Sequence, residues 1–94
     1  MLITIKEKST VEKTVEIKTP CYLYEPAFDR HHFINENGDM ITVGNNILVL
    51  WSAEVEDTKK QIASVFKDSH GCIEADFKDA LERVLFITKE TYTS

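Results

Sequence analysis

The sequence predicts an α+β domain, an antiparallel sheet of four to five strands in hairpins and a meander, with two C-terminal helices packed on one face. Three observations lead there. Residues 2–19 alternate with period two, Asn-rich turn signals divide residues 30–51 into three apolar segments, and beyond residue 51 the apolar spacing becomes three to four. With 94 residues the chain holds one domain, 1–94, with strands over 1–51, helices over 54–88 and a frayed tail at 89–94.

In the N-terminal segment Ile3, Ile5, Val11, Val15 and Ile17 occupy odd positions, while Thr4, Lys6, Thr10, Glu12, Thr14, Glu16 and Lys18 occupy even ones. Such alternation describes a strand with one wet face. A hairpin keeps all the odd residues together only if the numbers of paired residues sum to an even value. A three-residue loop at Ser9–Val11 meets this condition, setting Ile5 opposite Val15 and Ile3 opposite Ile17. A single extended arm is the alternative, since the loop lacks the Gly or Asn such turns favour. Pro20 ends the ladder because it has no amide hydrogen. Cys21–Glu25 then forms a short strand on which Tyr22 and Tyr24 share a face.

Asn37-Gly38 reads as a two-residue type I′ turn pairing Glu36 with Asp39. That register sets Ile34 opposite Ile41, Phe33 opposite Thr42 and His32 opposite Val43. Asn45-Asn46 is a second turn, pairing Gly44 with Ile47 and hence Met40 with Trp51, Ile41 with Leu50 and Val43 with Leu48. One face of the meander then carries His32, Ile34, Ile41, Val43, Leu48 and Leu50. The other carries Phe33, Asn35, Met40, Thr42, Val49 and Trp51.

Val55, Ile62, Val65, Phe66 and Ser69 give the first helix its stripe. Glu54, Glu56 and Asp57 near its start and Lys67 near its end suit the helix dipole. Gly71 is expected to cap its end in a left-handed conformation. A second helix over about Glu74–Thr88 carries Phe77, Leu81, Val84, Leu85 and Thr88.

Lys and Arg total 11 against 16 Asp and Glu, a net charge of −5. The excess lies in residues 21–57, where seven acids meet only Arg30. This is a poor match to a phosphate backbone, so direct nucleic-acid binding is not expected. The longest wholly apolar run, Ile47–Trp51, falls far short of the ~20 residues that span a bilayer. Without a secretory leader the expected location is the cytoplasm, with Cys21 and Cys72 as reduced thiols.

Candidate chemistry is sparse. His31 and His32 are consecutive on a strand and point to opposite faces, and His70-Gly71-Cys72 offers two metal ligands without a third. No cysteine nucleophile motif, enclosed carboxylate pair or phosphate-cradling loop is present, so no catalytic residue, metal or cofactor is assigned. The meander face bearing Phe33, Met40 and Trp51, flanked by Tyr22 and Tyr24, is the expected protein-binding surface, because aromatics and Met are enriched at interfaces. Its cover is the N-terminal strands, a second copy in a homodimer, or another protein.

Two segments, TVEKTVEIKTPCYLY and GCIEADFKDALERVL, together resemble small uncharacterised accessory proteins of bacteria and their phages or mobile elements. The resemblance implies no activity and carries over no functional residue. The leading expectation is a non-catalytic interaction module able to self-associate. One alternative is an acidic mimic of nucleic acid that inhibits a DNA- or RNA-handling protein. It requires Glu25, Asp29, Glu36, Asp39, Glu54, Glu56 and Asp57 on one surface. A second alternative, a metal-dependent hydrolase, would use His31, His32 or His70.

Overall fold

A computed structural model describes residues 1–7 and 11–93, with side chains described for 1–5 and 12–86. β1 (Leu2–Glu7) and β2 (Val11–Glu16) form a two-stranded antiparallel sheet. The hairpin reading of the N-terminus therefore holds, in place of a single arm. Its register sets Ile3 opposite Val15 and Ile5 opposite Lys13, one pair away from the expected match. The pair numbers still sum to an even value, so Ile3, Ile5 and Ile17 all enter the core. The expected loop at Ser9–Val11 falls largely outside the described residues.

β3 (Cys21–Glu25), β4 (Arg30–Ile34), β5 (Met40–Gly44) and β6 (Ile47–Trp51) form the antiparallel meander, and β7 (His70–Gly71) pairs with the far side of β3. The sheet order is β6-β5-β4-β3-β7. Helices α1 (Glu56–Asp68) and α2 (Glu74–Thr93) pack against the strands.

The β5–β6 register is the one the Asn45-Asn46 turn predicts, with Met40 opposite Trp51 and Val43 opposite Leu48. Among the described residues of that turn only Asn46 takes a positive φ, 64°. The β4–β5 register differs. Ile34 faces Met40, Phe33 faces Ile41 and His32 faces Thr42. The cause is the Asn35 side chain. Its Oδ1 accepts the amides of Asn37 and Asp39, both at 2.9 Å, and its Nδ2 donates to Asp39 Oδ2 at 3.1 Å. The Asn35 amide donates to Asp39 O at 3.0 Å, and Gly38 at φ 88° makes the left-handed step. The loop thus has three residues, Glu36-Asn37-Gly38, instead of two. One extra loop residue moves every side chain of the preceding strands to the other face.

The sheet consequently separates two cores. Leu23, Ile34 and Met40 pack with Ile62 and Val65 of α1 and with Ile3, Ile5 and Ile17. On the opposite face Val43 packs with Phe77, Ala80 and Val84 of α2, bordered by Tyr22, Phe33, Ile41 and Leu81. The helices were expected to share a face; each takes its own, because both faces of the corrected meander are apolar. Of the expected stripes, Val55 and Leu85 are exposed, and α1 instead buries Thr58 in register with Ile62 and Val65. The Thr88 side chain lies outside those described. Gly71 does not cap α1 in a left-handed conformation. Ser69 is extended, and the chain runs directly into β7. α2 continues past Thr88 to Thr93.

Candidate interaction surface

The residues expected to form one binding face are divided by the corrected register. Met40 is fully buried and Trp51 half-buried on the α1 side. Phe33 and Tyr22 lie under α2, where Tyr22 stacks on Phe33 at 4.8 Å between centroids and on Phe77 at 5.6 Å. Tyr24 sits on the same side, at the end of the sheet. The N-terminal hairpin and α1 cover Met40 and Trp51, α2 covers Phe33 and Tyr22, and Tyr24 lies beyond α2 in an open groove. These five side chains do not make a common surface.

Trp51 is held by a polar chain that crosses four strands. Its indole Nε1 donates to Thr42 Oγ1 at 3.1 Å, Thr42 Oγ1 lies 2.8 Å from His32 Nδ1, and His32 Nε2 lies 3.2 Å from Glu25 Oε1. Glu25, His32 and Thr42 are all buried. Burial pulls the His32 imidazole below the ordinary histidine range, aided by Arg30 and His31 and opposed by the hydrogen bond and charge of Glu25. A neutral His32 gives its Nε2–H to the carboxylate and accepts at Nδ1, so the Thr42 hydroxyl donates there. Every group in the chain is then satisfied. Carboxylate, imidazole and hydroxyl stand in the order of a nucleophilic triad, but the hydroxyl is buried and already accepts from Trp51. The chain acts as a structural rung.

The other histidines belong to a shallow groove at the end of the α2 face. Tyr24, Asp29, His31, His70, Cys72, Ile73 and Asp76 line it, and its volume is about 510 Å³. The Tyr24 ring stands 4.7 Å from His31 and 5.5 Å from His70, and its hydroxyl donates to Asp29 Oδ1 at 2.9 Å. Asp29 reaches that position from a backbone φ of 51°, which Asp tolerates. Burial lowers the His31 pKa and raises that of the Cys72 thiol, which Asp76 raises further. A protonated thiol is a weak nucleophile. Among the described residues no three His, Cys, Asp or Glu side chains are placed to hold a metal ion. His31 and His32 do lie on opposite faces, as consecutive strand residues must.

The acids of residues 21–57 do not line up. Glu25 is buried against His32 and Asp29 lies in the β3–β4 turn. Asp39 lies at the opposite end of the strands, where its Oδ1 accepts the Ala53 amide at 2.6 Å. That bond and the one from Asn35 hold its carboxyl below the usual range.

The surface that sequence reasoning missed is β6. Leu48, Val49 and Leu50 are 43%, 37% and 73% exposed, although Leu48 and Leu50 were expected beneath the helices. β6 is the outermost strand, paired only with β5 among the described strands, so one row of its backbone amides and carbonyls faces outward. Among the described residues nothing covers this edge, and Met40–Ala53 contains no charged residue and no proline. The opposite edge is β7, only two residues long. The charge-free run was visible in the sequence, and its place at the end of the meander was the available clue.

No protein-family model, curated protein or solved structure matches this chain. No described helix is long and apolar enough to cross a membrane.

Proposed function

We propose that this chain is a small protein-interaction module that acts by binding and not by catalysis, and that its contact element is the edge of β6. The observation carrying this reading is a five-residue outer strand, ILVLW, that is apolar throughout and open along its backbone. Strand addition satisfies such an edge, with backbone hydrogen bonds supplying affinity and alternate side chains supplying selectivity. The rung fixing Trp51 to Thr42 and His32 stiffens the strand, which lowers the entropy lost on binding. The two free thiols, Cys21 and Cys72, suit work in the cytoplasm.

The test is photocrosslinking in cells that express the chain natively. A photoreactive residue replaces Leu50 in one variant and the exposed Lys59 of α1 in another. A discrete adduct from position 50 and none from position 59 is the expected result. No adduct at position 50, or the same adduct from both, overturns the reading.

A further inference from the structure

We infer that the occupant of the β6 edge is a second copy of this chain, paired antiparallel about Val49 so that two five-stranded sheets become one. This rests on β6 being the contact element, and it goes further by naming partner and register.

The backbone phase permits the pairing. A two-residue turn closes on a hydrogen-bonded pair, here Gly44 and Ile47. Hydrogen-bonded and non-hydrogen-bonded pairs then alternate along β5 and β6. Ile47, Val49 and Trp51 direct their amides and carbonyls toward β5, while those of Leu48 and Leu50 point outward. A two-fold axis at Val49 sets Leu48 opposite Leu50 of the other copy, and Leu50 opposite its Leu48. Both pairs match outward groups to outward groups, and all four backbone hydrogen bonds form.

The side chains permit it as well. Residues opposite one another in an antiparallel pair share a face. Leu48 and Leu50 lie on the α2 side in both copies, because they are paired with Val43 and Ile41. The two Val49 side chains meet on the α1 side. Both α2 helices then lie on the same side of the joined sheet, each exposing Leu85 and Phe86, at 50% and 61%.

Charge selects this partner over an unrelated one. Each copy carries −5. In an isologous contact a charge close to the axis meets its own like, so a self-pairing edge must be neutral about that axis. Met40–Ala53 is neutral, in a chain with 29% charged residues. The flanking matches are neutral too, with Asn46 meeting Ser52 and Asn45 meeting Ala53 of the other copy.

The experiment measures mass by light scattering and sedimentation on the purified chain. The expected value is twice 10.8 kDa. Leu50→Pro removes an outward amide hydrogen and no bond to β5, so it leaves the circular dichroism unchanged and weakens association by about 30-fold or more, the loss of a hot-spot contact. Val49→Lys and Val49→Glu are each monomeric, and an equimolar mixture of the two recovers the dimer. Recovery requires residue 49 of one copy to meet residue 49 of the other. A monomeric wild type at all concentrations overturns the inference, as does a dimer that Leu50→Pro leaves intact, or an equimolar mixture that stays monomeric. The photocrosslinking result separates the two levels. An adduct at position 50 of some other mass keeps the β6 reading and removes the second copy, and no adduct at all removes both.

Discussion

Replacing Thr42 by Val tests whether the buried rung holds the sheet together. The two side chains are nearly the same size, so packing is retained while the hydroxyl is lost. His32 Nδ1 then faces a methyl group in a site where the residue is only 1% exposed. Leaving a buried acceptor unmet costs about 1–3 kcal/mol. Shifting the proton to Nδ1 offers no escape, because it strands that hydrogen and turns a bare Nε2 toward the Glu25 carboxylate. The half-buried Trp51 indole loses its acceptor, worth a further ~0.5–1 kcal/mol. The expected loss is about 2–3 kcal/mol, which for a domain of this size lowers Tm by roughly 10–20 °C. Urea unfolding followed by fluorescence and circular dichroism measures it, and with a single Trp in the chain the indole amide gives one NMR signal. Thr42→Ser, which keeps the hydroxyl, restores most of the loss and the position of that signal. A Thr42→Val change below about 0.5 kcal/mol with an unmoved indole resonance refutes the rung as a stabilising device.

Two further outcomes follow from burial and charge. The His32 pKa is lower in the folded chain than in the unfolded one, so its contribution to stability is complete above the unfolded value near 6.5 and is lost as pH falls toward the folded value. Urea midpoints at pH 7.5 and at pH 5 should show this drop, and His32→Gln should shrink it; an equal drop in the variant contradicts the assignment. Met40→Ala, at a fully buried position, should cost about 2–5 kcal/mol, whereas Leu50→Ala, at a 73% exposed one, should leave the unfolding of the dilute chain nearly unchanged. A larger effect at Leu50 than at Met40, by urea titration below the association range, contradicts the placement of both.

Much of the fold was legible because it rests on local periodicity. The odd-numbered isoleucines of the N-terminal hairpin, the Asn45-Asn46 turn and the α2 stripe of Phe77, Leu81 and Val84 all depend on neighbours a few residues away. The β4–β5 register depended on one side chain. Asn37-Gly38 carries the signature of a two-residue turn, but Asn35 captures two amides ahead of it and enlarges the loop. A cross-strand check was available. A sum of 74 sets His32 against Thr42 and Ile34 against Met40, matching polar with polar, whereas a sum of 75 sets His32 against Val43. That single slip grouped Phe33 with Met40 and Trp51, which the true register divides, and hid the rung from Glu25 to Trp51. The grouping of Tyr24, His31 and His70 was less accessible, because it needs Gly71 to pair with β3 where the sequence suggested a helix cap.

The corrected meander is a partition wall. Neighbouring residues along one strand, such as Leu23 and Tyr22 or Met40 and Ile41, serve different compartments with different linings. A void opened on one side cannot be filled by side chains from the other, because the backbone ladder stands between them. Each compartment must therefore absorb its own damage. Substitutions one residue apart in β3 or β5 belong to separate accounts, and their effects should add where those of residues two apart on the same strand do not.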